Sequence, residues 1–182
     1  SFDLETARQY LTLSVENRYI GNARAGVDAM VGLALSLQFL GETEKADGIL
    51  GKAHEFAEWT SAPGNVEIVR SGEARLALLR GDLETAKRWQ RGLSESTSPP
   101  PMLFYGENTQ LTQCRVLITL GRIDQLEEAI NKLHALRTAN ESTHNIYQTA
   151  EILILQAMAL FRRRSVDEAL QALSEAIVLS TP

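Results

Sequence analysis

The sequence is poor in the residues on which disulfide frameworks and metal sites depend. It contains Cys 1 and His 3 among 182 residues, which excludes an intramolecular disulfide and a cysteine-based zinc cluster. The histidines are scattered, at His54, His134 and His144. His54-Glu55 opens a segment similar to the zinc motif H-E-x-x-H, but Glu58 stands where the second histidine is needed. We therefore expect no metal, no cofactor, no catalytic residue and no enzymatic activity.

Long apolar runs and an excess of basic residues are missing as well. The longest apolar stretch, Ile152–Phe161, contains Gln156 and is too short to span a bilayer. Lys+Arg 18 against Asp+Glu 23 gives a net charge of -5, whereas binding phosphates needs clustered Lys and Arg. Residues 1–20 lack a basic start followed by an apolar block. We expect a cytoplasmic protein segment that binds neither membrane nor nucleic acid.

A repeat with a period of about 40 residues is the strongest positive signal. The pentapeptide Asp-Leu-Glu-Thr-Ala occurs at residues 3–7 and again at 82–86. Aligning the chain on it gives five equivalent positions, here called markers, separated by 39, 40, 40 and 43 residues. The markers are Phe2, Gly41, Gly81, Gly121 and Arg164.

Mostly apolar residues recur at fixed distances after each marker. They stand five, eight, nine and twelve positions after it, which is the i, i+3, i+4, i+7 spacing of one helix face. Seven positions before each of the last four markers stands a small residue that would let a second helix approach closely: Ala34, Ala74, Cys114 and Ala157. Each repeat is therefore predicted to be two antiparallel helices joined by a tight turn at the marker.

The residues around the markers are typical of such turns. Glycine suits the left-handed position after a helix, and Asp82 is a plausible N-cap of the next helix. Ser165 and Glu168 have the spacing of a capping box. Arg164 stands where the other repeats have glycine, so the last turn is expected to differ or to be strained.

These signals predict an all-α fold, an α-solenoid or superhelix of antiparallel, tetratricopeptide-like helix pairs, because one pair cannot bury its apolar faces alone. Residues 1–182 are predicted to form a single domain of about four and a half repeats, part of a longer array. Ser94–Pro101 is predicted to be a loop, and Ser142 or Thr143 to cap a helix. The predicted helices cover residues 3–20, 23–40, 43–60, 64–80, 83–93, 103–120, 123–138, 143–162 and 166–179.

Three segments carry a family resemblance. Residues 71–89 contain the run A-x-L-x-L-x-x-G-D-L-x-x-A-x-R-W, residues 107–117 contain E-x-x-x-L-T-x-x-R-V-L, and residues 151–160 contain E-I-L-x-L-Q-A-x-A-L. In this order they resemble the helical-repeat sensor domain of MalT-like, ATP-dependent LuxR-family transcriptional regulators. Residues 1–70 fit the same repeat without such family-specific runs.

The resemblance implies a parent protein with an ATPase switch before this region and a helix-turn-helix after it. The chain itself has no G-x-x-x-x-G-K-[ST] motif and no basic recognition helix. What the resemblance implies for this segment is effector sensing, oligomerisation and coupling. Its partners would be a small-molecule inducer or regulatory protein on the concave face, other domains of the parent, and a second copy through self-association.

An effector is expected on the concave side, which the first helices of the pairs would line. The polar and aromatic candidates there are Tyr105, Glu107, Gln110, Arg115, Tyr147, Gln148 and Glu151. For the charged members, an inter-repeat salt bridge or a solvated face is the preferred interpretation and effector contact is the alternative. Trp89 and Cys114 lie in the repeated columns, so packing is favoured over ligand binding or nucleophilic chemistry.

Two other functions compete with the regulatory one. A generic tetratricopeptide scaffold would bind a peptide or protein partner, but such scaffolds usually present a row of Lys, Arg and Asn that this chain lacks. A metal-dependent helical hydrolase is disfavoured, because the sequence has no paired ligand motifs.

Overall fold

The computed structural model describes residues 3–93, 106–141 and 145–181, and in these ranges every regular element is an α-helix. The all-α prediction is confirmed there. The helices of the described ranges are α1 (Leu4–Glu16), α2 (Ala23–Phe39), α3 (Thr43–Trp59), α4 (Pro63–Leu79), α5 (Leu83–Arg91), α6 (Thr109–Leu120), α7 (Ile123–Glu141), α8 (Ile146–Arg162) and α9 (Val166–Ser180).

Most predicted helix boundaries agree with the structure within one or two residues. The exceptions are the ends of α1 and α7 and the starts of α6 and α8, and α7 ends at Glu141 rather than at residue 138. Helix α1 ends at Glu16 rather than at residue 20, where the Asn17 side chain donates to the Leu13 carbonyl at 2.8 Å. Residues 106–108 precede α6 without being helical. Helix α8 starts at Ile146 behind Asn145, whose side chain accepts the Gln148 N–H. The predicted caps Ser142 and Thr143 and the predicted loop Ser94–Pro101 lie outside the described residues.

The turns at the markers repeat one geometry. Their φ angles are +80° at Gly41, +76° at Gly81, +72° at Gly121 and +70° at Arg164. In the last turn the Ser165 N–H donates to the Leu160 carbonyl at 2.9 Å, as Asp82 does to Ala77. This is the hydrogen bond that closes a Schellman motif. Arg164 thus adopts a left-handed conformation that favours glycine, which confirms the expected strain.

The two copies of the pentapeptide begin helices in the same way. Asp3 accepts the Thr6 N–H at 2.9 Å, and Asp82 accepts the Thr85 N–H at 3.1 Å, so the predicted Asp82 cap is confirmed. The predicted capping box at Ser165 is wrong, because this residue makes no side-chain cap hydrogen bond. Its hydroxyl instead accepts from the Arg163 guanidinium at 3.1 Å.

Contacts divide the chain into two compact units, unit 1 at residues 1–109 and unit 2 at residues 110–182. In unit 1, α2 packs against α1, α3 and α4. Its core is formed by residues such as Met30, Val31 and Phe56. A Cβ on Gly72 of α4 would lie 2.6 Å from a methyl carbon of Val31 on α2, so these helices approach closely. That unit 1 and unit 2 form one domain stays a prediction.

In unit 2, α7 packs against α8, and α8 packs against α9. Helix α6 contributes Cys114 and Leu117 to a core shared with α7 and α8. Each unit is thus built from stacked antiparallel helix pairs, as the α-solenoid prediction requires. The small residues seven positions before the markers are all buried: Ala34, Ala74, Cys114 and Ala157.

The helix face predicted to be buried is wrong in α1, where it includes Tyr10 and Ser14 at eight and twelve positions after the marker Phe2. Tyr10 is 70% exposed, and Ser14 is exposed too, while Val15 enters the core. The buried face of α1 is therefore rotated from the predicted one and is formed by Leu11 and Val15.

Candidate functional site

Helices α6 and α8 of unit 2 are joined by an ion pair. The Arg115 guanidinium donates to the Glu151 carboxylate, and the Arg115 side chain is only 15% exposed. Because the two residues belong to consecutive repeats, this confirms the inter-repeat salt bridge. At the other end of α8, Arg162 donates to the carbonyl of Thr119 at 2.8 Å and to that of Ile118. Arginines therefore connect α8 to α6 at two levels.

The remaining candidates of unit 2 lie near the start of the same helices. Tyr147 is 73% exposed, Gln110 is exposed and Gln148 is half-buried. These three residues lie in the first turns of α6 and α8. Together with the ion pair they form what we call the α6–α8 surface, defined by Gln110, Arg115, Tyr147, Gln148 and Glu151.

Glu107 belongs to unit 1 and is buried. Its carboxylate accepts from the Ser71 hydroxyl at 2.8 Å and from the Arg75 guanidinium at 3.0 Å. Its side chain is 1% exposed, so α4 holds this carboxylate away from solvent. Arg24 of α2 donates to the Glu107 backbone carbonyl at 3.3 Å. Tyr105, the other candidate of this segment, lies outside the described residues.

A second buried carboxylate lies beside this pair. Asp28 accepts from the Arg24 Nε at 3.0 Å, and its side chain is 5% exposed. Burial raises the pKa of the Asp28 carboxyl above its usual value, and the Arg24 charge opposes that rise. A Cβ on Gly106 would lie 2.6 Å from the Asp28 Oδ2 atom, so only glycine fits there without displacing that carboxylate.

The ion pairs Arg75–Glu107 and Arg115–Glu151 occupy similar positions of the repeat. This regularity was not used in the predictions from the sequence. Arg75 and Arg115 each stand six positions before a marker. Their partners Glu107 and Glu151 stand fourteen and thirteen positions before the next marker. The column of arginines paired with the following column of glutamates could have predicted both contacts.

The described helix pairs agree with the sequence comparison. A family profile described as the MalT-like TPR region matches residues 2–182. The chain belongs to this family. The match includes the residues before 71, where the sequence shows the repeat without family-specific runs. Comparison with curated proteins and with solved structures gave no significant match.

The MalT-like TPR region also has a groove in unit 1 that the sequence did not indicate. It lies between α1, α2 and α3 and has a volume of about 770 Å³. Leu33, Leu37 and Ile49 contribute apolar surface, and the charged lining residues are Arg8, Glu16, Glu42, Lys45 and Lys52. The rotation of α1 explains why it was missed, since Leu13 lines this groove and is 57% exposed.

Little in the described part of the MalT-like TPR region offers reactive chemistry. Cys114 is buried, and burial raises the pKa of its thiol to about 12, so the predicted structural role is confirmed. Trp89 is half-buried. Among the described residues no group of three or more His, Cys, Asp or Glu could hold a metal ion. No helix in those ranges is long and apolar enough to cross a membrane.

Proposed function

We propose that this MalT-like TPR region is the effector-sensing, oligomerising and coupling part of a LuxR-family transcriptional regulator, and that it acts in the cytoplasm without catalysis. The observation that carries the proposal is family membership along the chain, over residues 2–182. In this proposal, ATP binding and DNA binding belong to other domains of the parent regulator.

The α6–α8 surface is the proposed effector site. Tyr147 offers an exposed ring for stacking, and the side chains of Gln110 and Gln148 offer amide donors and acceptors. The Arg115–Glu151 pair lies between consecutive repeats. A ligand that competes for either charge would alter the packing of α8 on α6. An effector can shift the region between two arrangements only if it binds them with different affinities.

A thermal-shift screen with the purified chain tests this proposal. The probes are a panel of sugars, sugar phosphates, nucleotides and amino acids. A ligand that binds only the folded state, at a concentration 100 times its Kd, stabilises that state by about 2.7 kcal/mol. We expect at least one class to raise the melting temperature, and Tyr147→Ala to abolish that rise.

The matched control is Tyr10→Ala, which removes an equally exposed ring from unit 1 and is expected to leave the response intact. An equal response of both variants would place the ligand elsewhere. A panel without any response would refute a small-molecule effector from these classes.

A peptide-binding scaffold is the second candidate, and the groove of unit 1 favours it. Three cations, Arg8, Lys45 and Lys52, line an apolar floor beside Glu16 and Glu42. Glu42 pairs with both Arg8 and Lys45, so an acidic peptide would compete with Glu42 for these two cations. An acidic, amphipathic helical peptide matches this lining. Binding of such labelled peptides can be measured by fluorescence polarisation. We expect Lys52→Glu to weaken the binding and the control Lys132→Glu in unit 2 to leave it unchanged. Binding that both variants leave unchanged would refute the groove as the peptide site.

A further inference from the structure

Three aromatic rings meet at the end of α3 in unit 1. Tyr19 lies in the turn between α1 and α2, and Phe56 and Trp59 lie in the last turn of α3. The Tyr19 ring centroid is 5.4 Å from that of Phe56 and 5.6 Å from that of Trp59, at interplanar angles of 79° and 86°. The Phe56 and Trp59 rings are stacked, with centroids 5.7 Å apart and an angle of 23°. We call these three residues the aromatic corner.

The three rings differ in their exposure. Phe56 is only 4% exposed and belongs to the core of unit 1. A Cβ on Gly26 of α2 would lie 2.9 Å from its Cε1 atom, so α2 packs closely over this ring. Tyr19 is 62% exposed and Trp59 is 69% exposed. Phe56 therefore fixes the aromatic corner to the core, and two rings at nearly right angles remain open to solvent.

The repeat leaves the position of Trp59 uncovered wherever the structure describes it. Trp59 stands eighteen positions after its marker Gly41, and the equivalent residues Ile20 and Ala139 are exposed as well. Helices α3 and α7 are each followed by a further helix pair of the chain, which does not cover this position. Ala139 shows that packing does not require a tryptophan here. Exposed Trp and Tyr side chains with one rigid orientation are typical of binding sites.

The aromatic corner already holds one cation of the chain itself. The Arg18 Cζ atom lies 4.4 Å from the Tyr19 ring centroid and 5.7 Å from the Phe56 ring centroid. The same guanidinium donates to the Val15 carbonyl at 2.8 Å and to the Tyr19 hydroxyl at 3.1 Å. Arg18 thus uses the side formed by Tyr19 and Phe56, whereas the Trp59 ring stays exposed. Tryptophan is the aromatic side chain that attracts a cation most strongly.

Acidic residues beside Trp59 make this surface complementary to a second cation. Glu55 stands four positions before Trp59 on α3, so the two Cβ atoms lie about 5–6 Å apart on one helix face. Glu58 directly precedes Trp59. Both glutamates are exposed, and neither pairs with a cation in the part of the chain that the structure describes. Their two negative charges exceed the single positive charge of Arg18.

A guanidinium fits this arrangement better than an ammonium does. A guanidinium is flat, so it can stack on the indole ring while its in-plane N–H groups donate to a carboxylate beside the ring. We propose that Trp59 and Glu55 bind an arginine side chain of a partner protein, with Tyr19 as the second wall of the site. This site belongs to unit 1, whereas the α6–α8 surface belongs to unit 2, so the inference does not rest on the proposed function.

Peptide binding to the whole chain tests the inference. The probe is a labelled Gly-Ser peptide with spaced arginines, and matched peptides carry lysine or citrulline, which is planar but uncharged. Binding is followed by fluorescence polarisation and by the emission of Trp59 in a Trp89→Phe background, where Trp59 is the single tryptophan. We expect the arginine peptide to bind and to change this emission. The Kd of the citrulline and lysine peptides should be at least about 5-fold higher.

Substitutions locate the site. We expect Trp59→Ala to raise the Kd of the arginine peptide about 10-fold and Glu55→Gln to raise it about 3-fold. Because both side chains are exposed, the variants should keep their helical circular dichroism. The controls are Tyr10→Ala, which removes a 70% exposed ring from α1, and Glu44→Gln, which changes an exposed glutamate at the start of α3. Both controls should bind the arginine peptide as the wild type does.

Several results would overturn the inference. These are the absence of binding by the arginine peptide, equal binding of the citrulline or lysine peptide, and an unchanged Kd in Trp59→Ala. Free arginine that binds as tightly as the peptide would overturn the assignment to a partner protein, because the ligand would then be the amino acid itself.

Discussion

Replacing the buried Glu107 tests the contact between α4 and the segment that precedes α6. Its carboxylate accepts hydrogen bonds from Ser71 and Arg75 and is almost fully removed from solvent. Glu107→Ala would leave both donors without this acceptor. Ser71 is 0% exposed and cannot be rehydrated, whereas Arg75 is 29% exposed in its side chain and can recover water.

The expected cost follows from these exposures. Breaking a fully buried ion pair by removing one partner costs about 3–5 kcal/mol, and the solvent access of Arg75 places Glu107→Ala at the lower end, about 3 kcal/mol. Glu107→Gln keeps one acceptor oxygen and the side-chain volume, so we expect it to cost less, about 1.5 kcal/mol, which is the lower end of the range for a hydrogen bond to a charged group.

Urea unfolding followed by tryptophan fluorescence is the assay. Both tryptophans, Trp59 and Trp89, lie in unit 1, so the signal reports on the unit that contains Glu107. Glu84→Ala is the control, because this glutamate pairs with Lys87 on an exposed surface and its loss should leave the midpoint unchanged. A cost below about 0.5 kcal/mol for Glu107→Ala, within the range of surface substitutions, would refute the reasoning.

Three further predictions concern charge and backbone. The raised pKa of Asp28 means that the folded state takes up a proton at higher pH than the unfolded state. The unfolding free energy of the wild type relative to Asp28→Asn should therefore increase as the pH falls from 7 towards 4 in urea titrations, and a constant difference would contradict this. Gly72→Ala should destabilise unit 1 by about 1–3 kcal/mol through its contact with Val31, whereas Gly48→Ala, where a Cβ meets open space, should stabilise α3 by about 0.5–1 kcal/mol in thermal melts. Arg164→Gly should stabilise unit 2 by about 1 kcal/mol, because glycine accepts the left-handed conformation without strain; a lower melting temperature would argue against this.

The repeat made the fold predictable from the sequence. Gly81 ends one helix and Asp82 caps the next. Both residues interact only with backbone a few positions away, so their geometry can be predicted from the local sequence. The small residues before the markers, such as Ala74 and Cys114, were equally informative, because close helix packing permits little else there.

The parts that were missed depend on contacts between distant residues. Helix α1 buries Val15 instead of Ser14 because its rotation is set by packing against α2, and the groove beside Leu13 follows from that rotation. The Ser165 hydroxyl accepts a hydrogen bond from Arg163 instead of capping α9, and the capping-box spacing does not predict this contact. For the candidate site, the Arg115–Glu151 contact could be predicted from the repeat, but the burial of Glu107 could not, because it depends on how residues 106–108 lie against Asp28 and Ser71.

Hydrogen–deuterium exchange with the ligand obtained from the thermal-shift screen tests the central claim most directly. If effector sensing depends on the α6–α8 surface, saturating ligand should slow exchange in residues 109–120 and 146–162 of the wild type, and Tyr147→Ala should remove this protection. Protection confined to α1–α5, or protection that Tyr147→Ala leaves unchanged, would contradict the account.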